Sequence, residues 1–476
     1  MGEVVEESTN RSRSKTDRRT RSRRWAAVAV TSLALVAVAC SNSGSSTASD
    51  GSSSGSPGSS PQGTAVGNGQ MMPLQGVPGV TDTDIAFSAF GTRSNNPLGT
   101  CILDCYTDGI EAYFAWRNSE GGVNGRQMVL STVLDDELGQ NQAKALEIVS
   151  ADDTFAAFSA TAVATGWGDV ADAGMPLYTW SIHPSEMTGR DSVYGFTGVL
   201  CTACTRRSFL YPAIQADATT IGSLGYGIAA ASSECASANV DSVEKYGAET
   251  GLKVGYFNND LAYGLPNGIG PEVTAMKDAG VDFVMGCLDL NGMKTLAQEM
   301  ERQGMGDVPM LHPNTYDEAF VAEAGDLFEG DYVNVIFRAF EAGAAGSQAE
   351  QFQQWMGETG SDLTELAMVG WINADLAFQG LVAAGPEFDR EKVIAATNQI
   401  TDYTAGGLIP TIDWSRQHEA PTEDDPVTHG SARECSTFVK VVDRSFELVG
   451  NPDEPFFCWD PTVSGWTEPE TVSFSP

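Results

Sequence analysis

From residue 83 onward the chain alternates between short apolar runs and longer stretches whose apolar residues recur three and four positions apart. Residues 84–90 (DIAFSAF) are the kind of run a buried strand needs. Residues 107–120 put Ile110, Tyr113 and Phe114 at helical spacing and stop at Gly121-Gly122. The pattern predicts a strand over 127–134, closed by Asp135-Asp136, and a helix over 141–150 with Leu146 and Val149 on one face. A strand over 154–158, a short helix over 168–174 and a strand over 175–180 follow. The pattern then restarts. Strands are predicted over 220–226, 252–257, 283–287 and 308–311, and helices over 237–250, 271–279 and 294–303. Repeated strand–helix units with apolar strands imply parallel sheets covered by helices on both faces. Two successive series imply an α/β chain of two doubly wound parallel-sheet lobes. Such sheets bind ligands beyond the carboxyl ends of their strands, so two facing lobes would share one cleft.

The N-terminal region changes the picture, because it sets the compartment. Arg11, Arg13, Lys15, Arg18, Arg19, Arg21, Arg23 and Arg24 precede an apolar run over 25–39 that ends at Cys40. That run is too short for a comfortable membrane span and fits the core of a secretory signal. Ala37-Val38-Ala39-Cys40 looks like a bacterial lipobox, in which Cys40 receives lipid and becomes the mature N-terminus. The Arg23-Arg24 pair leaves both general and twin-arginine export open. Residues 40–72 are dominated by Ser, Gly and Thr, a composition that behaves as a flexible tether. The expected organisation is therefore a signal peptide over 1–39, a tether over 40–72 and a two-domain body outside the cytoplasm.

Charge narrows the partners. The 476 residues carry 63 acidic and 27 basic side chains, a net charge of −36, and the leader itself is basic. So acidic a surface repels nucleic acid and anionic headgroups, which disfavours both as partners. The only membrane attachment expected is the lipid on Cys40.

Of nine cysteines, Cys40 is set aside and the rest are even in number. In an oxidising location this favours disulfides over thiolate metal sites. We pair Cys235 with Cys287 and Cys435 with Cys458, leaving Cys101, Cys105, Cys201 and Cys204 to pair among themselves, although spacing alone does not fix connectivity. A zinc site built on Cys201, Cys204, Cys101 and Cys105 is the alternative.

At 107–136 the segment TDGIEAYFAWRNSEGGVNGRQMVLSTVLDD resembles the opening of the leucine/isoleucine/valine-binding protein family of ABC transporters, which has the type I periplasmic-binding fold. Further similar pieces are Gly174-Met175-Pro176-Leu177, Ala279 to Val284, Phe328-Glu329-Gly330, Trp371 to Ala374 and Leu381 to Gly385. The resemblance covers roughly 83–415. It implies three crossings between lobes, near residues 200, 340 and 410. Lobe one would hold 80–200 and 341–410, and lobe two 201–340 and 411–476. It also implies a monomeric solute-binding protein that closes on an amino acid or a related organic acid or amide, with an ABC permease as partner and no cofactor.

Carried over residue by residue, the resemblance makes Thr161, Ser181 and His183 ligand contacts of lobe one. Tyr226, Asp289, Asn314 and Tyr316 are those of lobe two. Asn314 stands where the family has an acid facing the ligand amine, and Asp289 is a possible substitute. Each has a plainer reading. Tyr226 and Tyr316 would also suit a core, Thr161 and Ser181 helix caps, His183 a turn, and Asp289 a strand end.

Catalytic signatures are weak. Gly51-Ser52-Ser53-Ser54-Gly55 matches a nucleophile elbow in letters but lies in the tether. The chain has no P-loop and no H-E-x-x-H. His418, Glu419, Glu423, Asp424, Asp425 and His429 cluster in sequence, which fits a solvated loop better than a divalent-ion site. No enzyme activity and no metal are expected. A sensor module of the same fold is the second reading, an extracellular enzyme the third. The length beyond residue 411 exceeds what the resemblance accounts for.

Overall fold

The computed structural model describes residues 72–420, 422, 425, 428 and 430–475. The lipobox cysteine, the tether with its elbow-like motif, Glu423, Asp424 and His429 lie outside the described residues.

The first sheet contains β1 (Asp84–Gly91), β2 (Gln127–Asp135), β3 (Ala156–Ala160), β4 (Leu177–Thr179) and β5 (Val193–Gly195). All neighbours are parallel, in the order β2-β1-β3-β4-β5. β3 is buried along its whole length, so its sequence is continuously apolar or small rather than alternating. Helices α1 (Leu103–Ser119), α2 (Asn141–Ala151), α3 (Trp167–Asp172) and α4 (Pro184–Met187) connect these strands.

After a first crossing, α5 (Tyr211–Gln215) leads into a second sheet. Its strands are β6 (Thr220–Tyr226), β7 (Lys253–Leu261), β8 (Phe283–Cys287), β9 (Met310–His312) and β10 (Tyr332–Val335). They run parallel in the order β10-β9-β8-β6-β7. The connecting helices are α6 (Ala230–Thr250), α7 (Gly270–Asp278), α8 (Leu290–Gln303) and α9 (Glu318–Ala324). A second crossing returns the chain to the first sheet as α10 (Ala349–Thr359), α11 (Glu365–Ala384) and α12 (Arg390–Thr397). α11 is long and apolar enough to cross a membrane, but its apolar surface is covered by protein, chiefly α1. Its Asn373 amide donates to Tyr106 Oη (2.8 Å) and to the Thr179 carbonyl (2.9 Å), seating the helix on β4.

The third crossing begins on the first sheet's side. Trp414 N–H donates to the Ile400 carbonyl (2.9 Å), its ring packs against Tyr194, and His418 Nε2 meets Asn398 Oδ1 at 3.1 Å. The chain then enters β11 (Glu434–Val442), which pairs antiparallel with β10 and continues the second sheet. β12 (Ser445–Leu448) and β13 (Phe456–Trp459) flank β11, and β14 (Glu470–Val472) pairs with β13. Both parallel series expected from the sequence are present, and this antiparallel extension adds to them.

The crossings are laced together. Arg338, fully enclosed, donates its backbone N–H to the Leu408 carbonyl (2.7 Å) and its guanidinium to the carbonyls of Gly343 (2.5 Å) and Gly407 (3.4 Å), joining the second crossing to the third. Gln417 Oε1 accepts from Val199 N (3.1 Å) and Gly430 N (3.1 Å), joining the third to the first. A line of rings, Tyr316, Phe340, Phe352, Trp371 and Trp116, runs from the loop after β9 to α1 with successive centroids 5.0, 5.8, 5.5 and 5.4 Å apart.

Candidate ligand-binding site

The carboxyl ends of the first sheet gather small polar residues. Thr161 follows β3 and is fully buried; its hydroxyl donates to Asp136 Oδ2 (2.6 Å) and lies 3.2 Å from Thr92 Oγ1. Asp136 Oδ2 also accepts from Asn141 Nδ2 (3.0 Å), and Asn141 Oδ1 accepts the backbone N–H groups of Thr165 and Gly166, each at 3.0 Å. The N–H groups of Ala162 and Val163 go to Thr92 Oγ1 (3.0 Å) and Thr161 Oγ1 (3.2 Å). Four backbone donors of the loop that leads into α3 are therefore satisfied within the lobe. His183 Nε2 donates to the Thr161 carbonyl (3.0 Å) and its ring meets Trp167 edge-on. Burial lowers the His183 pKa, so the neutral imidazole persists at neutral pH. Ser181 is fully buried beside Gly195, with its hydroxyl oxygen unpaired.

In the second sheet, β6 ends at Tyr226. Ser232 Oγ accepts the Tyr226 N–H (2.7 Å) and donates to the Cys287 carbonyl, fixing β6 against β8. The Cys235–Cys287 disulfide ties α6 to the same strand end. Two residues on, Asp289 caps α8, its Oδ1 accepting Gly292 N–H at 2.7 Å. Tyr226 lies beneath Tyr263, centroids 5.0 Å apart, and its hydroxyl is buried without a hydrogen bond of ordinary geometry. Burial raises the Asp289 carboxyl, opposed first by the Gly292 N–H and then by Tyr263 and Tyr226, while the phenol of Tyr263 is pushed up to about 12 by burial and by Asp289.

On the loop after β9, Asn314 Oδ1 is buried and unpaired. Tyr316 Oη accepts Phe340 N–H (2.7 Å) and donates to Glu341 Oε2 (2.6 Å), which anchors that loop to the second crossing. Glu365, at the start of α11, is pushed up to about 8 by burial, with Asp317 adding to the shift.

The structure thus brings Thr161 and His183 together in one lobe, and Tyr226 and Asp289 in the other, with Asn314 and Tyr316 on a separate loop. One described hydrogen bond crosses between the two sheets' loops, from Asn291 Nδ2 of α8 to the Pro97 carbonyl after β1 (3.2 Å). Tyr263, Asn291 and Pro97 were not singled out from the sequence. The turn Tyr263-Gly264-Leu265-Pro266 beyond a strand end was the available signal for the first.

All eight body cysteines are joined: Cys101–Cys105, Cys201–Cys204, Cys235–Cys287 and Cys435–Cys458. The zinc alternative therefore lacks its thiolates. Among the described residues no group of three or more His, Cys, Asp or Glu is placed to hold a metal ion, and Glu419 and Asp425 instead pair with Arg416.

The family model described as periplasmic binding protein matches residues 102–442, most of the chain. The chain belongs to the periplasmic binding protein family. Solved structures agree on the fold of this binding protein. A substrate-binding periplasmic protein from Ralstonia solanacearum is similar at 20% identity and a TM-score of 0.60, covering 77% of this chain and all of that one. A leucine-binding protein from Thermotoga maritima is similar at 13% identity and a TM-score of 0.60, covering 78% of this chain and 99% of that one. A fatty acid ABC transporter substrate-binding protein from Thermomonospora curvata is similar at 16% identity and a TM-score of 0.58, covering 82% and 96%. Among curated proteins none matches significantly. The family places the binding protein outside the cytoplasm, and the neighbours' unlike ligands show that the fold alone does not name the solute.

Proposed function

We propose that this protein is a lipid-anchored, extracytoplasmic solute receptor. It captures a small polar molecule, an amino acid or a related organic acid or amide, by closure of its two lobes and delivers it to an ABC permease. Lobe closure around a ligand is the established motion of this architecture. The observation that carries the reading is the pair of sheets whose C-terminal loops carry His183 and Thr161 on one side and Tyr226 and Asp289 on the other, with Asn291 bridging to Pro97. The basic leader, the apolar run and Cys40 support the anchor. The ring ladder and the Arg338 lacing support crossings stiff enough to make the motion a hinge.

A thermal-shift screen of the purified chain against small polar metabolites tests this, because a ligand that binds only the native state raises its melting temperature. At least one solute should raise it, and the same solute should reduce the radius of gyration in X-ray scattering. A bound solute that leaves the radius unchanged overturns the closure mechanism.

A further inference from the structure

The three crossings share a neighbour. The family match ends at residue 442, and the chain continues through β12, β13 and β14 to residue 475. β14 pairs with β13 and β13 with β11, and the Cys435–Cys458 disulfide fastens β13 to β11 a second time. This segment is therefore rooted in the sheet of the second lobe.

From that root it touches every crossing. Arg207, 5% exposed between β5 and α5, donates its guanidinium to the carbonyls of Asp460 (2.9 Å) and Val463. In the second crossing Gly343 N–H donates to the Pro452 carbonyl (2.9 Å), and the enclosed Arg338 guanidinium also donates to Ser473 Oγ. In the third, Thr404 Oγ1 donates to the Ser475 carbonyl (3.0 Å), and a Cβ on Gly407 would stand 2.5 Å from the Phe474 carbonyl oxygen. Phe474 packs edge-on against Phe456 of β13, ring centroids 5.1 Å apart, which holds 473–475 against the crossings.

The third crossing is fixed to the other lobe. Tyr403 Oη donates to the Ile372 carbonyl of α11 (2.8 Å), and Gln348 N–H, at the start of α10, donates to the Gly406 carbonyl (2.8 Å). Residues 473–475 thus join a strand of the second lobe to a turn held by the first. Hinge motion concentrates its torsional change in the few residues of the crossings. Separating the lobes would carry Thr404 and Gly407 away from a segment that stays with β13. These contacts coexist with the Asn291 to Pro97 hydrogen bond, in which the rims of the two lobes meet. A contact made in one arrangement only shifts the balance towards that arrangement.

We infer that residues 452–475 form a strap across the hinge that favours the closed arrangement before any solute has bound. This rests on the hinge motion proposed above, but its readouts are taken without solute and do not depend on the metabolite screen.

The test is X-ray scattering and hydrogen exchange on the full chain and on a variant lacking residues 473–476, neither with added solute. Ser473 and Ser475 are exposed, so the deletion removes little core, and circular dichroism with thermal melting establishes that the variant folds. Its radius of gyration should be larger, and exchange at residues 404–410 about tenfold faster, as expected when the hydrogen bonds to Ser473 and Ser475 are lost. Ser473→Ala trims one hydroxyl and should move both readouts the same way by a smaller step. It replaces the deletion if that variant does not fold. Equal radii overturn the strap even where exchange rises, because the segment then only packs against the crossings. A smaller radius overturns it too, since the segment would then prop the lobes apart. Either result leaves solute capture standing, which the melting shift with metabolites decides separately.

Discussion

Gly109 of α1 and Gly370 of α11 mark the closest approach of the two helices: a Cβ at Gly109 would stand 1.8 Å from the Ala367 carbonyl oxygen, and one at Gly370 2.0 Å from that of Tyr106. Backbone rather than a movable side chain opposes each position. Gly370→Ala should therefore destabilise the first lobe by about 2–3 kcal/mol, despite the higher helix propensity of alanine. Chemical denaturation gives the value, and a neutral or stabilising result would mean that the helices can slide apart at little cost.

Arg338 should matter more than its distance from the strand ends suggests. Arg338→Met removes the donors from the Gly343 and Gly407 carbonyls inside a closed region. A loss of about 2–4 kcal/mol is expected from the orphaned acceptors. Hydrogen exchange should rise at residues 338–348 and 404–410 before it rises in either sheet.

His418 predicts acid sensitivity. Burial lowers its pKa from the usual 6.5 to about 4, so the unfolded chain takes up a proton at a higher pH than the folded one. Its neutral form costs nothing above pH 6.5, and stability falls as pH drops from 6.5 towards 4. The loss is on the order of 2–3 kcal/mol. His418→Gln should flatten this limb of the stability–pH curve, measured by urea midpoints.

Glu365 acts on the opposite limb. Its carboxyl is raised from 4.5 to about 8, so the folded state holds the proton more tightly, and stability present below pH 4.5 is lost as pH rises through 8. Glu365→Gln should match the parent near pH 4 and exceed it near pH 9. Equal stability of the two at pH 9 would show that the carboxyl is solvated.

Asn291 tests the bridge between the lobes. Asn291→Ala removes its hydrogen bond to Pro97 from an exposed residue, so the melting temperature without ligand should barely change. Ligand affinity should fall a few-fold, because the closed arrangement alone loses the contact. The readout is the dissociation rate of bound solute, which should rise.

The sequence rhythm was enough to locate β6 (Thr220–Tyr226) and β8 (Phe283–Cys287) to the residue, since strands buried at every position are runs of apolar and small residues without a charged side chain. Helix starts were less legible. α6 begins at Ala230 rather than 237 and α8 at Leu290 rather than 294, because their first turns are made of small and polar residues with little periodicity. The antiparallel strands from β11 to β14 went unassigned for a related reason: β13 and β14 are only four and three residues long and carry no helix between them. At the site, residue types drew attention to Thr161 and Asp289. Whether a hydroxyl or carboxylate faces a ligand or its own lobe depends on pairings such as Thr161 with Asp136, made across 25 positions of chain.

Pairing of β10 with β11 also fixes the order of assembly. The second lobe leaves an open strand edge until residues 434–442 have emerged, and an uncovered edge invites pairing with other chains. A polypeptide synthesised from its N-terminus therefore completes its first series of strands early and carries an unfinished half until nearly its last residue. Stop codons upstream of 434 should yield aggregates rather than a smaller working receptor.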